Sequence, residues 1–420
     1  MDLKGKRLLI LGATSYMINV VKIAKSMGVY TIVTDPVKDD AAKKYADKSY
    51  DINTKDIDAL MKIALDEKVD GIMTAYSDLN LPVCRELCDR LGFPFYASTK
   101  NIEQTVDKIK FKEMCRKYNV PVVPEYTEDD IDAVEYPVIV KPSDSYGSKG
   151  ISVCRNREQL VAGIEFAKSY SPTKQVIIEE YMVCDDVNLD YAMQDGEVVF
   201  TAMGDRYVNK DQKGKSPLSL AVIYPSKYID RYLKEVDANA KRMFKEEGFR
   251  DGMVFIQSFM SKKGFHFFEM GYRPGGGQSS ILLKKINDID YVEYLINYAL
   301  TGKMSDDSIA KKNNIYFDKH ACGLVVLLKQ GVISSIKGLD EIKAMPEVLN
   351  ITQFYEEGEE VPPSCIGNLG QSFARIHIVT ETREELKNII DKVQNALIIT
   401  DSEGNDMKLS GLDTSVLNSD

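Results

Sequence analysis

Several things are scarce in this 420-residue chain, and each scarcity removes a class of function. There are three histidines, His266, His320 and His377, each in an apolar, strand-like run. They read as packed residues, which excludes a zinc site or a histidine-based triad built on them. The seven cysteines, at 84, 88, 115, 154, 184, 322 and 365, form no CxxC pair. An odd count in a long chain excludes a disulfide framework. Cys84 and Cys88 share a helix face with no histidine nearby in sequence, so they read as buried or idle thiols. No apolar run approaches the roughly 18 residues of a membrane span. The stretch Leu8 to Leu11 is too short for a signal peptide and reads as a first strand, which predicts a cytoplasmic protein. Lysine and arginine (54) are outnumbered by aspartate and glutamate (64), giving a net charge of −10. Non-specific nucleic-acid binding needs a positive surface field and is excluded, although a local basic pocket for phosphates is not. There is no internal repeat and no low-complexity tract.

What is present is an ordinary globular composition, 44% hydrophobic and 28% charged, long enough for two or three packed units. Up to about residue 100, short apolar runs (7–12, 29–35, 70–75) alternate with helical spacing. This predicts a parallel α/β sheet with helices on both faces. The turn after the first strand, "GATS", lacks the second and third glycines of GxGxxG, so a dinucleotide site is disfavoured. Ligands in such sheets still bind beyond the carboxyl ends of strands, which places residues 12–15, Asp35 and Tyr76 to Asp78 there. A single helix is expected over about 102–119. Short strands at 138–141, 151–154, 176–180, 187–193 and 197–202, with one helix near 157–169, suggest an α+β unit over about 136–203. The polar, basic stretch 205–219 reads as a loop. A helix over 228–247 precedes a hairpin, "MVFIQSFM" and "FHFFEMG" joined by "SKKG". "RPGGGQSS" breaks regular structure, a helix follows at 288–302, and 303–318 reads as a boundary before a unit with its own strands and helix.

Three stretches carry chemistry. In "YPVIVKPSDSYGSKGI" (136–151), Lys141 ends an otherwise apolar strand, where an ammonium is costly unless an anion meets it. The glycines, serines and Lys149 that follow can form an anion-binding nest, though the spacing is not that of a Walker A loop. On its own the stretch reads equally as a surface turn. In "VIIEEYM" (176–182) an apolar strand ends in two glutamates. In "FFEMGYRPGGG" (267–277) Glu269 lies inside an aromatic strand, a place where metal coordination explains a carboxylate.

In order and spacing these three stretches resemble the ATP-grasp superfamily, over roughly residues 1–310. The resemblance implies a Rossmann-like N-terminal domain (1–100), a two-lobed ATP-grasp domain (101–310, with its lid subdomain at about 136–203) and a small C-terminal α+β domain (311–420). Lys108 in "TVDKIKFK" and Lys141 would contact ATP phosphates. The lid at 143–150, with Ser148, Lys149 and Gly150, would cover the β- and γ-phosphates. Glu179 or Glu180, with the backbone through Tyr181 and Met182, would hold adenine, and Asp186 the ribose hydroxyls. Glu269 would bridge Mg²⁺ (or Mn²⁺), and Arg273 would lie near the transferred phosphate and the acceptor carboxylate.

The sequence departs from the family at two places. Gln257 stands where the first metal-binding acid is expected, and Gly271 where an asparagine is usual. The C-terminal segment also resembles that of carboxylate–amine ligases, and Arg375 on one of its strands reads equally as packed over the active site or as structural. The implied activity is an ATP-dependent ligase that makes an acyl phosphate and joins it to an amine, with small-molecule substrates and a homodimer as the usual assembly. Two alternatives remain. One is a phosphoribosylglycinamide-synthetase-like ligase, disfavoured by the near absence of lysine and arginine at 12–20 and 76–82. The other is an ATP-binding regulatory protein without turnover, motivated by Gln257. A nicotinamide oxidoreductase fails for want of the glycine fingerprint.

Overall fold

The computed structural model describes residues 1–144, 149–209 and 217–418. The first unit is β1 (Arg7–Leu11), α1 (Met17–Ser26), β2 (Tyr30–Thr34), β3 (Lys48–Tyr50), α2 (Ile57–Asp66), β4 (Gly71–Met73) and α3 (Leu81–Leu91). Its sheet is parallel in the order β3-β2-β1-β4. Period-two alternation sends Leu9, Leu11, Ile32 and Ile72 to one face, with Leu60, Cys84 and Leu87 of α2 and α3. Leu8, Ile10, Val33 and Met73 face the other way, onto Val20 and Val21 of α1 and onto Leu295 and Ile296. The last two belong to a helix more than two hundred residues on. It comes so close that a Cβ on Gly71 would meet the Ala299 carbonyl oxygen at 2.1 Å.

Two helices, α4 (Thr99–Val106) and α5 (Lys108–Lys117), lead to a small lobe made of β5 (Glu125–Tyr126), β6 (Val138–Pro142), β7 (Ser152–Cys154), α6 (Arg157–Tyr170) and β8 (Val176–Glu180). Its sheet order is β5-β8-β6-β7. Val138, Val140 and Ile178 pack under Leu160 and Ile164 of α6. Lys141 and Glu179 therefore lie on the opposite face.

The remaining elements are β9 (Asp185–Gln194), β10 (Glu197–Asn209), β11 (Leu218–Tyr224), α7 (Ile229–Glu235), α8 (Asp237–Glu246), β12 (Gly252–Ser261), β13 (Gly264–Gly271), α9 (Ser279–Asn287), α10 (Tyr291–Thr301) and α11 (Ile309–Lys312). After them come β14 (His320–Leu327), β15 (Gly331–Val332), β16 (Ser335–Lys337), α12 (Leu339–Lys343), β17 (Val348–Gln353), β18 (Glu360–Val361), β19 (Ser372–Thr380), α13 (Arg383–Ala396) and β20 (Ile398–Thr400). Eight of these strands form one sheet, β13-β12-β9-β10-β11-β14-β19-β17. Val187, Leu189, Tyr191, Val254 and Ile256 bury one face of it against Tyr232, Phe244 and Phe249.

The structure corrects several expectations. The helix expected over 102–119 is two helices, because Asp107 is extended (φ −84°, ψ 114°) and its side chain accepts the N–H groups of Ile109 and Lys110 as the cap of α5. The helix over 228–247 is likewise broken at Val236. Residues 205–209 continue β10 and 218–219 start β11, while 210–216 lie outside the described residues. The strands at 187–193 and 197–202 belong to the large sheet, so the small lobe's own sheet ends at Glu180. The C-terminal strands β14, β17 and β19 do not form a sheet apart but extend the large one through β11. Regular structure resumes at Ser279, inside the glycine-rich stretch. No helix is long and apolar enough to cross a membrane among the described residues.

One carboxylate fastens α4 and α5 to the large lobe. Glu247, its side chain 4% exposed, accepts from Lys100 (2.7 Å), Lys117 (2.6 Å), Gln104 (2.8 Å) and Tyr118 (2.9 Å). Burial pushes this carboxyl up, but those donors outweigh it and hold it far below the usual carboxylate range. Glu247→Gln is expected to cost about 1–3 kcal/mol at neutral pH. A depressed folded-state pKa gives stability that is complete above the unfolded value of about 4.3 and is lost as pH falls toward the folded one. Urea unfolding of both proteins from pH 7 to pH 3 should therefore show the gap closing below about pH 4.5. A gap that stays constant over that range would contradict this role.

Candidate functional site between the small and large sheets

The cleft face of the small lobe is organised by charge. Lys141 is 6% exposed and its Nζ lies 2.7 Å from Oε2 of Glu179. The other oxygen of Glu179 receives Lys112 of α5 in a very short contact, and Lys112 also reaches Glu125 at 2.7 Å. Lys112 is fully buried and Glu179 only 2% exposed. Burial raises the Glu179 carboxyl, yet Lys141 and Lys112 more than reverse this and lower it. Burial lowers the Lys112 ammonium. Lys112 was not singled out from the sequence. The signal was available, as it stands one helical turn after Lys108 on the same face.

Lys108 opens α5, and its N–H donates to the carbonyl of Ser143 (3.3 Å), so the helix start touches the exit of strand β6. Burial lowers its ammonium. The charges acting on it next, in order, are Glu269, Lys141, Asp78 and Glu179. Charges from four separate segments thus act on Lys108. Lys141 also lies over the Phe268 ring, 5.9 Å from its centroid, and Phe268 stacks on Phe259 at 4.4 Å.

The floor is set by strand register. Asn188 of β9, Gln257 of β12 and Glu269 of β13 are direct cross-strand neighbours, so their side chains form one row on one face. Gln257 Nε2 donates to Asn188 Oδ1 at 3.3 Å, which turns the Gln257 carbonyl oxygen away from Asn188. The row offers one carboxylate and two amide oxygens, a hard-oxygen set that fits Mg²⁺ with phosphate oxygens supplying the remaining charge. No group of three or more His, Cys, Asp or Glu side chains able to hold a metal occurs among the described residues. Asn188 was missed from the sequence, since only the β9–β12 register brings it beside Gln257.

Arg273 is held rather than loose. Its Nε donates to Oδ1 of Asp78 at 2.7 Å, a second nitrogen meets Oδ2 in a shorter contact, and Nη1 donates to the Pro274 carbonyl at 3.0 Å. The guanidinium lies over Phe255, 4.8 Å from the centroid. This fork joins the carboxyl end of the N-terminal sheet to the large lobe. Asp186 pairs with Arg206 across β9 and β10. Glu180 and Tyr181 give their N–H groups to Pro124 and Pro137, each at 3.1 Å, and Met182 is half-buried beside them. Lys149 is exposed, and Gly150 (φ +74°) packs so tightly that a Cβ would lie 2.8 Å from Pro142 and Tyr170. Ser148 lies outside the described residues. The seven cysteines are free thiols, five of them buried. His377 is buried and pushed down to about 4, hence neutral.

Removing Glu179 leaves two buried cations facing each other, whereas removing Lys112 leaves the carboxylate with Lys141. Glu179→Gln is therefore expected to cost about 3–5 kcal/mol and Lys112→Met about 1–3 kcal/mol. Chemical denaturation checks the order, and two losses below about 0.5 kcal/mol would contradict the triad's structural weight.

With this geometry in view, residues 104–294 match the family described as the D-ala D-ala ligase C-terminus. The 2-oxoglutarate carboxylase small subunit of Hydrogenobacter thermophilus is 26% identical over 235 residues, 51% of this chain and 48% of that one. The L-amino acid ligase from Bacillus licheniformis superposes with a TM-score of 0.78 at 18% identity, covering 95% of this chain and 99% of that one. The phosphoribosylglycinamide synthetase from Anaerococcus prevotii does so with a TM-score of 0.72 at 21% identity, covering 95% and 100%. The chain spans about half or less of the length of the curated relatives it matches. The matched segment 104–294 is the part of the chain that carries the lysines, the hinge and the Glu269 strand, and the solved structures share the chain's fold.

Proposed function

We propose that this protein is an ATP-dependent carboxylate–amine ligase. The observation that carries the reading is the buried Lys112–Glu179–Lys141 cluster on the small sheet, with Lys108 opening α5 beside it against the Ser143 carbonyl. Lys108 and Lys141 bind the phosphates of ATP. Because Glu179 is already shared by Lys112 and Lys141, adenine falls to Glu180 and the backbone through Met182. Asp186, steadied by Arg206, takes the ribose hydroxyls. Glu269, Gln257 and Asn188 hold Mg²⁺, which when bound neutralises phosphate charge.

A substrate carboxylate oxygen attacks the γ-phosphorus, ADP leaves, and an acyl phosphate results. An amine then attacks the acyl carbon, phosphate leaves, and the nitrogen gives up a proton. The first step needs charge neutralisation and in-line alignment more than a strong protein base. Lys108, Lys141 and Arg273 supply positive charge, and the bidentate hold of Asp78 fixes the direction in which Arg273 points.

ADP and phosphate release from Mg-ATP, scanned over pairs of carboxylates and amines, tests the reading. Turnover should require one particular pair and fall at least about 100-fold in Lys141→Ala and in Glu269→Ala. Release that needs no pair, or that survives both changes, would sink it. In the same assay Gln257→Glu adds a carboxylate to the row, and the Mg²⁺ concentration for half-maximal rate should fall several-fold. An unchanged Mg²⁺ requirement would remove Gln257 from the metal site.

A further inference from the structure

Lys112 takes no part in the nucleotide contacts proposed above, yet it is fully buried beside them. It stands on α5 one turn after Lys108 and meets Oε1 of Glu179, while Lys141 meets Oε2 at 2.7 Å. Each lysine therefore has a carboxylate oxygen of its own. The other partner of Lys112, Glu125 of β5, lies 2.7 Å away and also pairs with Arg116, a further turn along α5. Glu125 thus keeps a counter-charge without Lys112, and Lys112 is available to Glu179. Having no exposed surface, Lys112 cannot itself contact a ligand in the cleft. Lys141 can, since it lies toward the Phe268 ring of the large lobe.

A phosphate on Lys141 upsets this balance. As the ammonium moves to the phosphate it withdraws from Glu179, and a carboxylate at that depth is strongly destabilising when left bare. We infer that Lys112 is a positioning residue for nucleotide binding: it keeps Glu179 paired while Lys141 transfers from the carboxylate to a phosphate. Without Lys112, Lys141 becomes the counter-charge that Glu179 cannot release, and it is held back from the ligand. The inference rests on the nucleotide reading for the identity of the phosphate that draws Lys141 away.

Titration calorimetry of the full chain with Mg-ADP and with adenosine tests it, for the wild type, Lys112→Met, Glu179→Gln and the double variant. Adenosine brings no phosphate, so Lys141 stays on Glu179. Lys112→Met should bind Mg-ADP about 10- to 100-fold more weakly than wild type. Its affinity for adenosine should stay within about two-fold. Binding of Mg-ADP to Lys112→Met should also take up a proton that wild type does not, because a bare Glu179 protonates; the dependence of the binding heat on buffer reads this. In the Glu179→Gln background there is no carboxylate to protect, and adding Lys112→Met should change Mg-ADP affinity by less than about three-fold. A loss of about ten-fold or more in that background would show that Lys112 acts only as a positive charge, and would overturn the inference. Unchanged Mg-ADP affinity in Lys112→Met would overturn it too, as would equal weakening of Mg-ADP and adenosine, which marks a structural lysine. Should Lys112→Met not fold, the comparison in the Glu179→Gln background decides. If wild type binds neither ligand, the nucleotide reading itself fails and the inference falls with it, whereas binding by wild type without an effect of Lys112 overturns the inference alone.

Discussion

Two lysines share one buried carboxylate, and the site is built around that sharing. Glu179 sits at the end of β8 with Lys112 on one oxygen and Lys141 on the other. Neither lysine is tolerable alone at that depth, and neither is the glutamate. The pairing fastens α5 to the small sheet, and α5 is also the helix that begins with Lys108. With Glu125 also on Lys112, the cluster balances two ammoniums against two carboxylates.

The large sheet does the complementary work through alternation. Along β9, Val187, Leu189 and Tyr191 anchor an aromatic core, and the residues between them, Asp186, Asn188 and Asp190, take the other face. Rigid packing beneath therefore positions polar groups above. Arg273 adds the third body, since its fork to Asp78 makes the N-terminal sheet part of the same enclosure. The cleft is thus walled by three units, each contributing a charge that the others restrain.

Much of this was legible in the sequence because the relevant residues are local. Lys141 after an apolar run and Glu269 inside an aromatic strand announce themselves by costly placement, whereas Lys108 and the role of Arg273 came only with the family resemblance. What could not be read depends on tertiary pairing. Lys112 looks like any helical lysine until α5 is laid on β8. Asn188 matters only through a register that joins β9 to β12, and Asp78 only through a contact 195 residues away. The C-terminal strands looked like a separate unit because nothing in a short β-strand reveals which sheet it will join. Helix breaks at Asp107 and Val236 were hidden by continuous helical spacing on both sides. The loop at 145–148, including Ser148, lies outside what the structure describes.

The most direct test of the account is a crystal structure of the full chain with Mg-ADP. The account predicts the diphosphate within contact of Lys108 and Lys141, the metal on Glu269, and the adenine against the backbone between Glu180 and Met182, with Lys112 still paired to Glu179. Nucleotide bound elsewhere, or bound here with Lys108 and Lys141 turned from the phosphates, would contradict it.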